Sequence, residues 1–185
     1  MKRWKLKETE LKYKLFDLLT KHCTPENGLR VKKELKVKSF HGNTIKPDIS
    51  FFIGGNLFHI ECKDDNAKTF NLSDLMSQAI SYWYSEIKGF KPALVFIATT
   101  KLLSKGKSPY MSEIKMSQIG QAGKSGIGIC YYNESHNEIW FAMSGNIVFK
   151  ISDSKFEYFP NKIPKLYEGS RKGGSKHEGI NKRMA

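Results

Sequence analysis

Three residues in the stretch 46–63, KPDISFFIGGNLFHIECK, are of the types that divalent-ion chemistry uses: Asp48, Glu61 and Lys63. Two neighbouring carboxylates can hold a hard cation such as Mg²⁺, which takes one or two carboxylates and keeps water and phosphate oxygens for the rest of its shell. A cation held there polarises both a water and a phosphoryl oxygen. An ammonium beside it can orient the water or stabilise charge developing in the transition state.

The surrounding pattern brings the three together. Residues 46–53 are rich in β-branched and aromatic side chains, Gly54-Gly55 tolerates positive φ, and residues 57–63 alternate again. This reads as a β-hairpin. A two-residue loop at Gly54-Gly55 pairs Ile53 with Asn56 and sets Asp48 directly across from Glu61, with Cβ atoms roughly 4.5–5.5 Å apart. Sliding the loop to Gly55-Asn56 sets Asp48 against Lys63 and moves Glu61 to the diagonal. Either register keeps the three groups together. Alternation places Leu57, His59, Glu61 and Lys63 on one face, and Phe58, Ile60 and Cys62 on the other. Opposed carboxylates repel unless a cation lies between them.

Pro47-Asp48 followed by Glu61-Cys62-Lys63 resembles the signature of the PD-(D/E)xK nuclease superfamily. The tripeptide alone is common in this chain: Glu-x-Lys also begins at Glu10, Glu34, Glu86 and Glu113, and Asp153-Ser154-Lys155 fits the looser form. Only the Glu61 copy ends an apolar strand and follows the chain's one Pro-Asp at hairpin distance. The resemblance runs from the first helix to about residue 98. It implies an α/β, restriction endonuclease-like core: a mixed central β-sheet flanked by helices, here with extra C-terminal strands and a basic tail. It further implies a Mg²⁺-dependent DNA nuclease, endonuclease action favoured, in which Mn²⁺ can substitute and a homodimer is one possible assembly. The metal ligands it implies are Asp48, Glu61 and the backbone carbonyl of Cys62, with Lys63 as the catalytic amine. It also points to Glu8, on the first helix, as a residue reaching the metal site; a carboxylate in a first helical turn equally serves the helix dipole. Gln78 and Tyr82 match a Gln-x-x-x-Tyr pair of the RecB-like and phage exonuclease branches. There Gln78 would assist catalysis and Tyr82 would hold the DNA backbone or the water network; packing is the plain alternative.

Charge agrees with a polyanionic partner. Lys and Arg number 31 against 18 Asp and Glu, a net charge of +13. Nucleic acid is the first expectation and an acidic membrane surface the second. Lys33, Lys46 and His59 are the nearest candidates for contacting it. No stretch approaches the ~18 apolar residues of a membrane span. The N-terminal MKRWKLKETELK lacks an apolar signal core. Cys23, Cys62 and Cys130 form no Cys-x-x-Cys pair, so neither a zinc ribbon nor a disulfide framework is expected. A cytoplasmic location fits. Gly123-Lys124-Ser125 lacks the leading glycine of a phosphate loop.

The positioning elements follow from periodicity. A helix is expected over 7–22, with Trp4, Glu8, Leu11, Leu15, Leu18 and Leu19 on its inner face. Residues 29–40 read as one half-exposed strand. A second helix begins after Asn71 or Ser73, carries an apolar stripe from Leu72 to Ile87 and stops at Gly89. Residues 93–98 form a strand buried on both faces. A short helix is expected over 111–121. Strands at 127–132, 138–143 and 147–151 extend the sheet or form a flap. The domain is expected to run over 1–160, with a basic tail over 161–185. Three rivals stand beside the nuclease reading: a structure-selective junction resolvase, a basic nucleic-acid-binding protein without chemistry, and an acidic-lipid or protein adaptor.

Overall fold

Leu11, Leu15 and Leu19 recur every four residues and bury one stripe of the first helix, α1 (Glu8–Thr20). The Lys7 N–H donates to the Glu10 carboxylate at 2.9 Å and closes the first turn. The structure, a computed structural model, describes residues 7–64, 71–100, 126–133, 135–143 and 145–163. Trp4, the helix expected over 111–121 and the tail beyond residue 163 lie outside the described residues.

The segment expected as one strand over 29–40 is broken. β1 (Arg30–Lys33) ends at Glu34, which adopts φ 47°. That left-handed residue turns the chain out of the ladder. β2 (Val37–Lys38) and β3 (Thr44–Ile45) then pair with each other in a separate two-stranded ribbon.

The hairpin forms as the glycines require. β4 (Ile49–Ile53) and β5 (Asn56–Lys63) are antiparallel around Gly54 at φ 55° and Gly55 at φ 77°. Positive φ at both central residues is the tight hairpin turn that matches strand twist. Ile53 pairs with Asn56 and Ile49 with Ile60, which selects the first of the two registers.

β5 does not present a solvated polar face. It lies inside the sheet, between β4 and the parallel strand β6 (Pro92–Thr99). The helix α2 (Leu72–Trp83) connects β5 to β6 and brings Tyr82 against His59, ring centroids 6.3 Å apart. Asn71 caps α2, its side chain accepting from Ser73 N–H at 2.9 Å. The helix stops at Trp83 rather than running to Ile87. Glu86 instead exchanges backbone hydrogen bonds with Lys38 at 2.8 and 2.9 Å, and Ile87 does so with Phe90. Those bonds need extended backbone, which the helix cannot supply.

β7 (Ile127–Asn133) runs parallel to β6; β8 (Glu138–Met143), β9 (Asn146–Ile151) and β10 (Phe156–Tyr158) follow antiparallel. The three expected C-terminal strands therefore extend the sheet, in the order β1-β4-β5-β6-β7-β8-β9-β10. The sheet curls. Phe51 of β4 meets Phe149 of β9 edge-on at 5.3 Å, and Asn56 donates to the Tyr158 hydroxyl of β10 at 3.1 Å. Phe51, Phe58, Phe96, Phe141 and Phe149 fill the space so enclosed. Edge-to-face contacts among these rings add to their burial.

Candidate functional site

The register carries one residue past the Ile49–Ile60 pair to set Asp48 against Glu61. Asp48 is fixed on both oxygens. Its Oδ2 accepts from the Cys62 N–H at 2.9 Å, across the hairpin, and its Oδ1 accepts from Lys12 Nζ at 2.8 Å. Lys12 comes from α1 and bonds Glu34 Oε1 at 3.1 Å as well. One turn earlier on the same helix, Glu8 lies 3.4 Å from Lys63 Nζ. Two elements thus build the cluster: the hairpin supplies Asp48, Glu61 and Lys63, and one face of α1 supplies Glu8 and Lys12, four residues apart.

Glu61 is the unusual member. It is 6% exposed, and its Oε2 has no hydrogen-bond partner. Burial first, then the charge of Asp48, push its pKa up to about 8 against the opposing pull of Lys63 and Tyr82. Without a cation, Glu61 is therefore mostly the neutral acid at pH 7. The Tyr82 hydroxyl donates to the Lys46 carbonyl at 3.2 Å and also adjoins the Glu61 carboxyl. Burial, then the charges of Glu61 and Asp48, raise the Tyr82 pKa, so it stays a donor.

A buried carboxyl oxygen without a partner, beside a second carboxylate, has the donor chemistry of a hard-cation site. Among the described residues, no group of three or more His, Cys, Asp or Glu side chains could hold a metal ion. A pair of carboxylates alone would suit Mg²⁺ or Mn²⁺, with water and phosphate completing the shell. Asp48 and Glu61 would be the side-chain ligands and the Cys62 carbonyl the expected third.

The remaining candidates separate. Cys62 contributes its backbone; its thiol is buried, and burial pushes the thiol pKa well up. Gln78 is exposed on α2, and the hydrogen bonds of the cluster do not include it. Tyr82, expected on the DNA backbone, is buried and serves Lys46 and Glu61 instead. His59, expected to reach nucleic acid, is fully buried under α2 with Nδ1 2.8 Å from the Ser50 hydroxyl; its position is structural. Lys33 sets its ammonium 3.9 Å from the Tyr13 ring and 4.0 Å from the Phe16 ring, so it is engaged with α1. The Lys46 side chain is exposed.

Sequence reasoning missed Lys12 and Glu34. Both belong to other Glu-x-Lys copies, Glu10-Leu11-Lys12 and Glu34-Leu35-Lys36. The available signal was helical spacing: Lys12 stands four residues after Glu8 and shares its face.

No family model matches the chain, and no curated protein does. Among solved structures, the cryo-EM structure of a DrdV–DNA complex is similar over 88% of this chain and 12% of that chain, at 12% identity and a TM-score of 0.32. The chain spans only that small share of the matched chain's length, and so distant a likeness says nothing of activity. Among the described residues, no helix is long and apolar enough to cross a membrane.

Proposed function

We propose that this chain is a Mg²⁺-dependent DNA nuclease of the PD-(D/E)xK kind that hydrolyses phosphodiester bonds, with internal cleavage favoured over end digestion. The observation that carries the reading is the buried Glu61 carboxyl, with one oxygen unpartnered, beside Asp48 just before the start of β4.

Each residue then has a task. Asp48 is oriented by the Cys62 N–H on Oδ2, which leaves Oδ1, bonded to Lys12 Nζ, as the oxygen a cation would take. Glu61 adds the second carboxylate once its proton is released. A bound divalent ion would supply Lewis acidity toward water and phosphate. Lys63, kept at the rim by Glu8, orients the attacking water or stabilises the phosphorane-like charge. Tyr82 holds Glu61 from the helix side. The net charge of +13 draws the phosphate backbone toward the protein.

The ion pair from Lys12 to Asp48 supports a second reading, a basic nucleic-acid-binding protein whose acids are neutralised by its own lysine. Supercoiled plasmid separates the two. Incubation with Mg²⁺ or Mn²⁺ is expected to give nicked and then linear DNA, with EDTA abolishing both products. Retarded but intact plasmid under all three conditions would leave only the binding protein.

A further inference from the structure

We propose that Lys12 is a built-in counterion that occupies Asp48 when no metal is bound and withdraws onto Glu34 when one enters, so that the Lys12–Glu34 pair sets the metal affinity. This rests on the nuclease reading above.

The geometry is that of a relay. The Lys12 ammonium lies 2.8 Å from Asp48 Oδ1 and 3.1 Å from Glu34 Oε1. Surrender of Asp48 therefore breaks one hydrogen bond and leaves the other made. The two partners differ in surroundings: the Asp48 side chain is 14% exposed, the Glu34 side chain 58%. Lys12 thus bridges from the interior of the site to solvent.

Glu34 is placed there at a conformational cost. Its φ of 47° lies in the left-handed region, which a residue with a Cβ adopts rarely. Its N–H donates to the carbonyl of Asp48 at 3.1 Å. The backbone of the receiving acid is therefore tied to the backbone of the donating one. An ordinary continuation of β1 would carry the Glu34 side chain elsewhere. A cation and Lys12 also compete for the same Asp48 oxygen, because two positive charges at one carboxylate repel. An exposed ion pair contributes little by itself, so Glu34 offers Lys12 a place without making Asp48 unattractive to it.

The test is Mn²⁺ titration of the chelator-stripped, full-length protein by calorimetry, with no DNA present. Lys12→Met is expected to bind Mn²⁺ more tightly than wild type, on the order of tenfold. Glu34→Gln is expected to bind several-fold more weakly, because Lys12 then stays on Asp48. In the Lys12→Met background the Glu34→Gln loss is expected to shrink to about twofold or less, the screened remainder of an exposed charge. Melting in EDTA supplies a second readout: Lys12→Met is expected to lower the melting temperature, and saturating Mn²⁺ to raise it by more than in wild type. Wild type that binds Mn²⁺, with Lys12→Met no tighter, overturns the relay and leaves the nuclease reading standing. An undiminished Glu34→Gln loss in the double variant does the same. Failure of wild type and Lys12→Met alike to bind Mn²⁺ overturns both.

Discussion

The Cys62 N–H donates to Asp48 Oδ2 at 2.9 Å, so the first acid of the site is anchored by the backbone that follows the second. Asp48 consequently has a structural share as well as a proposed chemical one. Asp48→Ala removes the acceptor of Cys62 and the inner partner of Lys12. A loss of about 1–3 kcal/mol is expected in urea denaturation of the metal-free protein. Asp48→Asn retains an acceptor for Cys62, so it is expected to lose less stability while losing Mn²⁺ binding equally.

Glu61 gives the stability a pH dependence with a definite sign. Its pKa is raised from 4.5 to about 8 on folding. Between those values the folded state holds a proton that the unfolded state has released, so stability falls as pH rises through that window. Glu61→Gln is expected to flatten the fall and to be more stable than wild type at pH 8, by an amount on the order of a few kcal/mol. Urea denaturation at pH 5 and pH 8, in EDTA, measures both.

The Glu8–Lys63 contact is partly exposed at both ends, 42% and 35%. Glu8→Gln is therefore expected to change stability by less than about 1 kcal/mol. If Glu8 positions Lys63, the nicking rate falls roughly 10- to 100-fold, the usual range for partners of site residues. Thermal melting beside plasmid time courses distinguishes positioning from unfolding.

The curled sheet depends on Phe149. Its ring lies 4.8 Å from both Phe58 and Tyr158 and 5.3 Å from Phe51, joining β9 to the hairpin and to β10. Phe149→Ala is expected to cost about 3–5 kcal/mol, read as a lower urea midpoint.

Much of this frame was legible because local chemistry fixed it. Gly54-Gly55 marked the turn but left two registers open, and the observed pairing of Ile53 with Asn56 selects the one that carries Asp48 toward Glu61. The apolar run at 93–98 could only be an interior strand. Other features have no local mark. His59 and Glu61 alternate as a solvated face would, yet both are buried in the folded chain, where the two helices pack against β5. Glu34 bears no glycine signal for its positive φ, so the break between β1 and β2 was invisible. The apolar period of α2 continues to Ile87, but a backbone pairing with Lys38, distant in sequence, ends the helix first. Lys12 reaches Asp48 only because α1 lies over the hairpin. That placement comes from Leu11, Leu15 and Leu19 seeking the core, not from anything in the tripeptide around Lys12. β10, three residues long, was too short for any period to show.

The most direct measurement is the rate of supercoiled-plasmid cleavage in Mg²⁺ by wild type and by Lys63→Ala, with EDTA as the control and melting used to show that both are folded. Lys63 sits at the rim, so its removal leaves the two carboxylates and the fold in place. Metal-dependent cleavage by wild type is expected, with a loss on the order of 100- to 1,000-fold in the variant. Undiminished cleavage by Lys63→Ala, or no cleavage by the wild-type chain in either metal, would contradict the account.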